Sequence, residues 1–129
     1  MNDIIAFLRA RLDEDEITAR GALHAAPHTG TDDHGTWHAN GAEVAGEAMH
    51  FWDNPTNVLT EWQASHIARH DPARALREVE AKRRILDRAE QLHDDPFDTV
   101  LFTEYDETIL PLMAAAYSDH PDYQPHWTT

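Results

Sequence analysis

A chain of 129 residues with 41% apolar side chains is long enough for one domain with its own core, and too short for two. Its 24 acidic and 10 basic residues give a formal net charge of −14, which repels phosphate backbones and anionic lipid and so argues against general nucleic-acid or membrane binding. Because the chain has no cysteine, disulfides, a thiolate nucleophile and a Cys-based zinc site are excluded.

The N-terminal residues bear on location. The stretch MNDIIAFLRARLDEDE is charged where a secretory signal peptide has an apolar segment. No apolar run approaches the roughly 18 residues of a membrane span. We therefore expect a cytoplasmic protein that does not associate with membranes.

A first helix is predicted from Asn2 or Asp3, either of which can cap it, to about Arg20. Gly21 ends the apolar pattern. The side chains that recur at helical spacing are Ile4, Ile5, Leu8, Leu12 and Ala19. Residues 22–35 are rich in Gly, His, Asp and Thr and show no period, so we expect a flexible loop there.

A short β-hairpin is predicted after that loop. The pair Asn40-Gly41 is typical of a type I′ turn, and Trp37 and Val44 lie on either side of it. An isolated hairpin is marginally stable in water, so Trp37 should pack on the helices. The stretch 49–52 is interpreted as a third strand or as an apolar loop that fills the core.

Two further helices follow, from about Thr56 to His70 and from Pro72 to about His93. Asp71-Pro72 supplies both signals of a helix start, a capping carboxylate and proline at the first helical position. Helical spacing predicts a packing face on the earlier of the two, composed of Leu59, Trp62, Gln63, His66 and His70. The apolar stripe on the later one is Ala75, Leu76, Val79, Leu86 and Ala89.

A fourth helix is predicted from about Asp98 to Tyr117, and Pro111 should kink or split it. Residues 118–129 are polar, aromatic and proline-bearing, and we expect a tail lying along the surface. The predicted fold is mainly α: a small bundle of about four helices, forming a single domain over residues 1–129, with a short β-hairpin inserted between helices 1 and 2.

Three segments carry a resemblance to a known family: HIARHDPARALREVEAKRRIL at 66–86, FLRARLDEDEITAR at 7–20 and YSDHPDYQPHW at 117–127. Through them the chain resembles a family of small actinobacterial and actinophage proteins of unknown function. Relatives commonly have Pro-Gly-Pro-Trp where this chain has residues 26–28, and proline where Ala116 stands. The resemblance implies a prokaryotic, often mobile-element, origin and no particular activity.

A zinc site is the sharpest chemical hypothesis. His66 and His70 are one helical turn apart, a spacing that allows two imidazoles to bind one ion, and Asp71 follows directly. With an open coordination position such a site could support metal-assisted hydrolysis. Histidines in the predicted loops could complete it: His24, His28, His34, His38 and His50. The alternative is that both histidines are packing residues and that Asp71 is a helix cap.

A basic helix face is the second candidate site. Seven of the ten basic residues lie between Arg69 and Arg88, whereas residues 89–129 contain nine acidic residues and no lysine or arginine. Arg77, Arg84 and Arg88 could bind phosphate or a carboxylate-rich partner through bidentate contacts. The alternative is a solvated face partly neutralised by Glu80 and the acidic remainder of the chain.

These observations favour a non-enzymatic accessory protein that acts by binding another macromolecule. No phosphate-binding loop, nucleotide-binding glycine motif or nucleophile elbow is present, and no cofactor is expected. The expected partner is a host or phage protein with a basic surface, which the acidic chain would inhibit or modulate, in one version by mimicking DNA. Self-association through a leftover apolar helix face is a further mode. The alternative function is that of a His/Asp metal-binding protein, of which a metal-dependent hydrolase is one form.

Overall fold

The computed structural model describes residues 2–24, 37–40, 43–46, 49–50, 61–95 and 97–128. These residues are mainly helical, as predicted. The principal elements are α1 (Asn2–His24), β1 (Trp37–Asn40), β2 (Glu43–Gly46), β3 (Met49–His50), α2 (Glu61–Arg69), α3 (Pro72–Asp94), α4 (Thr99–Glu104) and α5 (Leu110–Ala115). No helix among the described residues is both long enough and apolar enough to cross a lipid bilayer.

Helix α1 continues past the predicted end at Arg20 as far as His24. The prediction that Gly21 terminates it was wrong. A glycine inside a helix costs about 1 kcal/mol relative to alanine, which weakens a helix without ending it. Of the loop predicted over 22–35, residues 25–36 lie outside the described part of the chain.

The strands lie between α1 and α2 in sequence. β1 pairs with β2 in antiparallel register, with Trp37 opposite Gly46 and Asn40 opposite Glu43. β3 continues the sheet from β2, with Met49 opposite Gly46. Residues 41–42 and 51–52, on which the turn type and the rest of the third segment depend, lie outside the described residues.

The chain forms two compact units, one of residues 1–14 with 80–129 and the other of residues 15–79. In the second unit, α2 buries Ala64 and Ala68, and Trp37 and Ile67 pack against them. The expected packing of Trp37 on a helix is therefore confirmed.

The packing face predicted for α2 was wrong at every described residue, whereas Leu59 and the predicted helix start near Thr56 lie outside the described residues. Trp62 is 86% exposed, and His66 and His70 are exposed as well. Two alanines four residues apart place only small side chains on the buried face of α2, whereas Trp62 lies about 200° around the helix from Ala64. The large apolar side chain is thus a misleading guide to the buried face.

In the first unit, α1 buries the predicted apolar stripe together with Phe7 and Arg11, which the prediction left out. Ile4, Ile5, Leu8 and Leu12 are all at most 5% exposed. Leu86, Leu92 and Leu110, which belong to the same unit, are also fully or almost fully buried. This unit therefore has its own leucine-rich core.

The fourth predicted helix is divided by a π-helical turn at Tyr105–Ile109, between α4 and α5. The Leu110 N–H donates to the Tyr105 carbonyl, one residue further back than in an α-helix. Pro111 has no N–H, and its ring would clash with the carbonyl four residues earlier in an α-helix. A wider turn directly before Pro111 relieves that clash, so the predicted split takes the form of a π turn.

Candidate functional site

Asp71 is a structural residue. It is 7% exposed; its Oδ1 accepts from the Arg74 N–H at 2.8 Å and its Oδ2 accepts from the Trp37 N–H at 2.9 Å. The first bond caps α3, and the second ties the start of β1 to that cap. Because both carboxylate oxygens are occupied by backbone donors, Asp71 is poorly placed to bind a metal with the neighbouring histidines.

His66 and His70 lie side by side on the exposed face of α2. Their ring centroids are 4.3 Å apart, and the His70 Nδ1 lies 2.8 Å from the His66 carbonyl oxygen. A carbonyl only accepts, so the Nδ1 of His70 carries a proton, and in the neutral ring the Nε2 keeps its lone pair. Within the described part of the chain, no group of three or more His, Asp or Glu side chains is arranged to hold a metal ion. The zinc site stays a prediction.

The three arginines of the predicted basic face are all exposed on α3. Arg77 belongs to the unit of residues 15–79, and Arg84 and Arg88 belong to the other. The Arg84 Nε donates to Glu80 at 3.2 Å, and Arg88 donates to Gln91 at 3.5 Å. Exposed pairs of this kind contribute about 0–1 kcal/mol, so neither contact would prevent these guanidinium groups from meeting a partner.

A buried arginine that sequence reasoning missed joins α1 to the C-terminal tail. Arg11 is 6% exposed, and its guanidinium lies 5.2 Å from the Phe7 ring centroid. It donates to Glu14 at 3.0 Å and lies 2.6 Å from the ring nitrogens of His120. The His120 Nδ1 also accepts from the Asp122 N–H at 3.1 Å, which requires a neutral imidazole.

Aromatic rings complete this contact. Phe7 packs against Tyr117, Tyr123 and Trp127 with centroid separations of 6.3, 6.1 and 5.0 Å. Trp127 is only 9% exposed, so the tail predicted to lie along the surface contributes one side chain to the core. Two of the segments that carry the family resemblance, one from each end of the chain, meet here. The presence of family motifs at both ends was the sequence signal that could have indicated this contact.

A second arginine of α1 holds the C-terminal part of α3. Arg9 donates from Nε and Nη2 to the two oxygens of Glu90, at 3.1 and 2.7 Å, and from Nη2 to Asp87 at 3.0 Å. The hydrogen bond to Glu90 and then that to Asp87 raise the pKa of Arg9 above its usual value. The guanidinium therefore stays charged at any working pH.

An acidic-apolar surface follows the end of α3, and we define it by Asp94, Asp95, Phe97 and Val100. Phe97 is 94% exposed and Val100 is 83% exposed. Asp94 and Asp95 are also exposed, and Asp95 accepts a hydrogen bond from the Phe97 N–H at 3.0 Å. Asp98, which caps α4 at Leu101, separates the two apolar residues in sequence. Sequence reasoning treated this stretch only as a break between helices.

The comparisons with known proteins place the chain in a family without assigning a role. No curated protein matches the chain, and no solved structure matches it. The model of a family of unknown function, DUF6221, matches residues 1–129. The chain therefore belongs to DUF6221, a family whose function is unknown.

Proposed function

We propose that this protein is a non-enzymatic accessory protein that binds another protein through the acidic-apolar surface. The observation that carries the proposal is the exposure of Phe97 and Val100, at 94% and 83%, beside the carboxylates of Asp94 and Asp95. Burying a phenylalanine or valine side chain against a partner is worth about 1.5–3 kcal/mol. Aromatic anchors among weaker polar contacts are typical of binding hot spots.

The charge distribution supports a basic partner. Residues 89–129 carry nine acidic side chains and no lysine or arginine, so their field attracts positive groups and repels nucleic acid. Complementary charge speeds association and selects the partner, whereas the apolar side chains supply affinity. A DNA-binding protein of the host, held by an acidic surface that imitates DNA, is one partner of this kind.

The arginine face of α3 is a second contact region under the same proposal. Arg77, Arg84 and Arg88 are exposed, and a carboxylate-rich part of the partner would suit them. The resemblance to actinobacterial and actinophage proteins supports a cytoplasmic role in such a bacterium or its mobile elements. Under this proposal the protein acts as an inhibitor or modulator of its partner rather than as an enzyme.

The proposal is tested by placing the photo-cross-linking residue p-benzoylphenylalanine at position 97 in the native host, with position 62 as the matched control. Trp62 is likewise an exposed aromatic residue, 86% exposed, but it does not belong to the acidic-apolar surface. We expect position 97 alone to give a cross-link to one basic protein, identified by mass spectrometry. Cross-links only from position 62, or only to a second copy of this chain, would overturn the proposal.

Metal binding is the second candidate, and the observation that favours it is the adjacent, exposed pair His66 and His70 with their ring centroids 4.3 Å apart. In the neutral ring, the Nε2 of His70 can coordinate a metal ion while Nδ1 donates to the His66 carbonyl. The test is the zinc content of protein expressed without a His tag, compared with His66→Ala, His70→Ala and the control His126→Ala. Stoichiometric zinc lost only in the first two variants supports a zinc site, and metal-free, folded wild-type protein rejects it.

A further inference from the structure

A cleft of about 420 Å³ lies beside the acidic-apolar surface, within the unit of residues 1–14 and 80–129. Its volume falls in the lower part of the range of small-ligand sites, about 300–1,000 Å³. The side chains that line it are Ile5, Ala6 and Arg9 from α1 and Glu90, His93 and Asp94 from α3. Asp94 belongs both to the cleft and to the acidic-apolar surface, so the two adjoin at that residue.

The positive and negative charges around the cleft do not cancel. Arg9 donates to both oxygens of Glu90 and to one oxygen of Asp87, so its single positive charge is shared between two carboxylates. Asp94 is exposed and forms no hydrogen bond or ion pair with any residue that the structure describes. The cleft therefore carries an excess of negative charge, and the Asp94 carboxylate has no partner among the described residues.

The position of Asp94 in its helix adds to this imbalance. It is the last residue of α3, a helix of 23 residues, and the carbonyl end of a helix carries partial negative charge. A carboxylate there is unfavourable, whereas a cation is favourable. In the last turn of α3 the only basic side chain is His93, whose ring packs edge-on against Phe102 with a centroid separation of 5.6 Å.

The remaining walls suit a long side chain that carries a positive charge. Ile5 and Ala6 provide apolar surface for methylene groups, and Asp94 provides a counter-ion at the helix terminus. A guanidinium can form two parallel hydrogen bonds with a carboxylate, whereas an ammonium interacts as a point charge. Arginine is therefore favoured over lysine.

We propose that this cleft receives an arginine side chain of the protein partner, with Asp94 as its counter-ion and Ile5 and Ala6 against its methylene groups. The inference rests on the proposed function and names the chemical group that the partner supplies. It also gives the partner a fixed orientation, because the arginine must enter the cleft while an apolar patch covers Phe97.

The test is an NMR titration of the ¹⁵N-labelled protein with N-acetyl-arginine amide, and with N-acetyl-citrulline amide as the uncharged isostere. We expect saturable shifts at Ala6, His93 and Asp94 with the arginine compound only, with a Kd of about 1–10 mM. Asp94→Asn should weaken binding about fivefold, the effect of one surface ion pair. Glu107→Gln, a matched loss of one exposed carboxylate from the same unit, should not change it.

Three outcomes would overturn the inference: no saturable shift up to about 50 mM, equal binding of citrulline, or no effect of Asp94→Asn. The proposed function is tested separately, by measuring how each variant binds the partner identified by cross-linking. If Phe97→Ser abolishes partner binding while Asp94→Asn leaves it unchanged, Phe97 stands as the anchor and the cleft is not the arginine site. If neither variant changes partner binding, both proposals fail.

Discussion

Asp71 shows how one side chain can define a junction between elements. Its two oxygens satisfy the N–H groups of Arg74 and Trp37 at a site that is 7% exposed. We predict that Asp71→Ala lowers the free energy of unfolding by about 2–4 kcal/mol, because a helix cap is lost and the part-buried Trp37 N–H loses this acceptor. Urea unfolding followed by circular dichroism measures this loss.

The matched control for that prediction is Asp95→Ala. Asp95 also accepts from a backbone N–H, that of Phe97, but the bond is exposed and water can replace it. A change within about 0.5 kcal/mol is expected. Equal losses in the two variants would show that Asp71 has no special role.

His120 gives a second prediction at the residue scale. Its imidazole lies 2.6 Å from a guanidinium nitrogen of Arg11, a side chain only 7% exposed. His120→Ala should cost about 1.5–3 kcal/mol, because hydrogen bonds to charged groups are strong and their loss leaves Arg11 under-satisfied. His126→Ala, an exposed histidine of the same tail that only touches the Trp127 ring, should cost less than about 1 kcal/mol. Thermal unfolding that does not separate these variants would contradict the assigned role of Arg11.

Sequence reasoning reached the first of these residues and missed the second. The cap at Asp71 is a local signal, since the donor at Arg74 is three residues away. The contact between Arg11 and His120 joins residues 109 positions apart. No local propensity predicts such a pairing, and a buried arginine is uncommon enough that composition argues against it.

Among the elements, the helix interrupted by the π turn has the most specific consequence. Leu110 is fully buried directly after the turn, whereas Leu112, two residues on, is 58% exposed. We predict that Leu110→Ala costs about 2–5 kcal/mol and that Leu112→Ala changes the free energy of unfolding by less than about 1 kcal/mol. Chemical denaturation of the two variants gives their free energies of unfolding and so shows which face of α5 is buried. The reverse order would mean that the π turn is absent and that α5 faces the core differently.

Element boundaries and faces were predictable where several signals agreed. The start of α3 carries both a capping aspartate and a proline, and the helix begins at Pro72 as predicted. The buried stripe of α1 also followed from spacing alone. The face of α2 did not, because Ala64 and Ala68 are weak apolar signals beside Trp62, and because tertiary contact with the strands decides which side is buried.

For the whole molecule, composition predicted an acidic character but not its distribution in space. Arg9 and Arg83 are engaged by carboxylates at 2.7 Å, which neutralises part of the acid excess within the first unit. The acidic-apolar surface keeps its carboxylates exposed beside Phe97. The exposure of one aromatic residue in a loop depends on the complete fold, so sequence patterns could not reveal it.

Phe97 is proposed to anchor a basic protein partner. Isothermal titration calorimetry measures the affinity of the partner identified by cross-linking for the wild-type protein and for the Phe97→Ser and Trp62→Ser variants. The titrations are made at low and at high salt. We predict that Phe97→Ser weakens binding by about 30-fold or more, that Trp62→Ser changes it by less than about threefold, and that salt weakens wild-type binding. Equal effects of the two substitutions, or an affinity independent of both Phe97 and salt, would rule out Phe97 as the anchor of a basic partner.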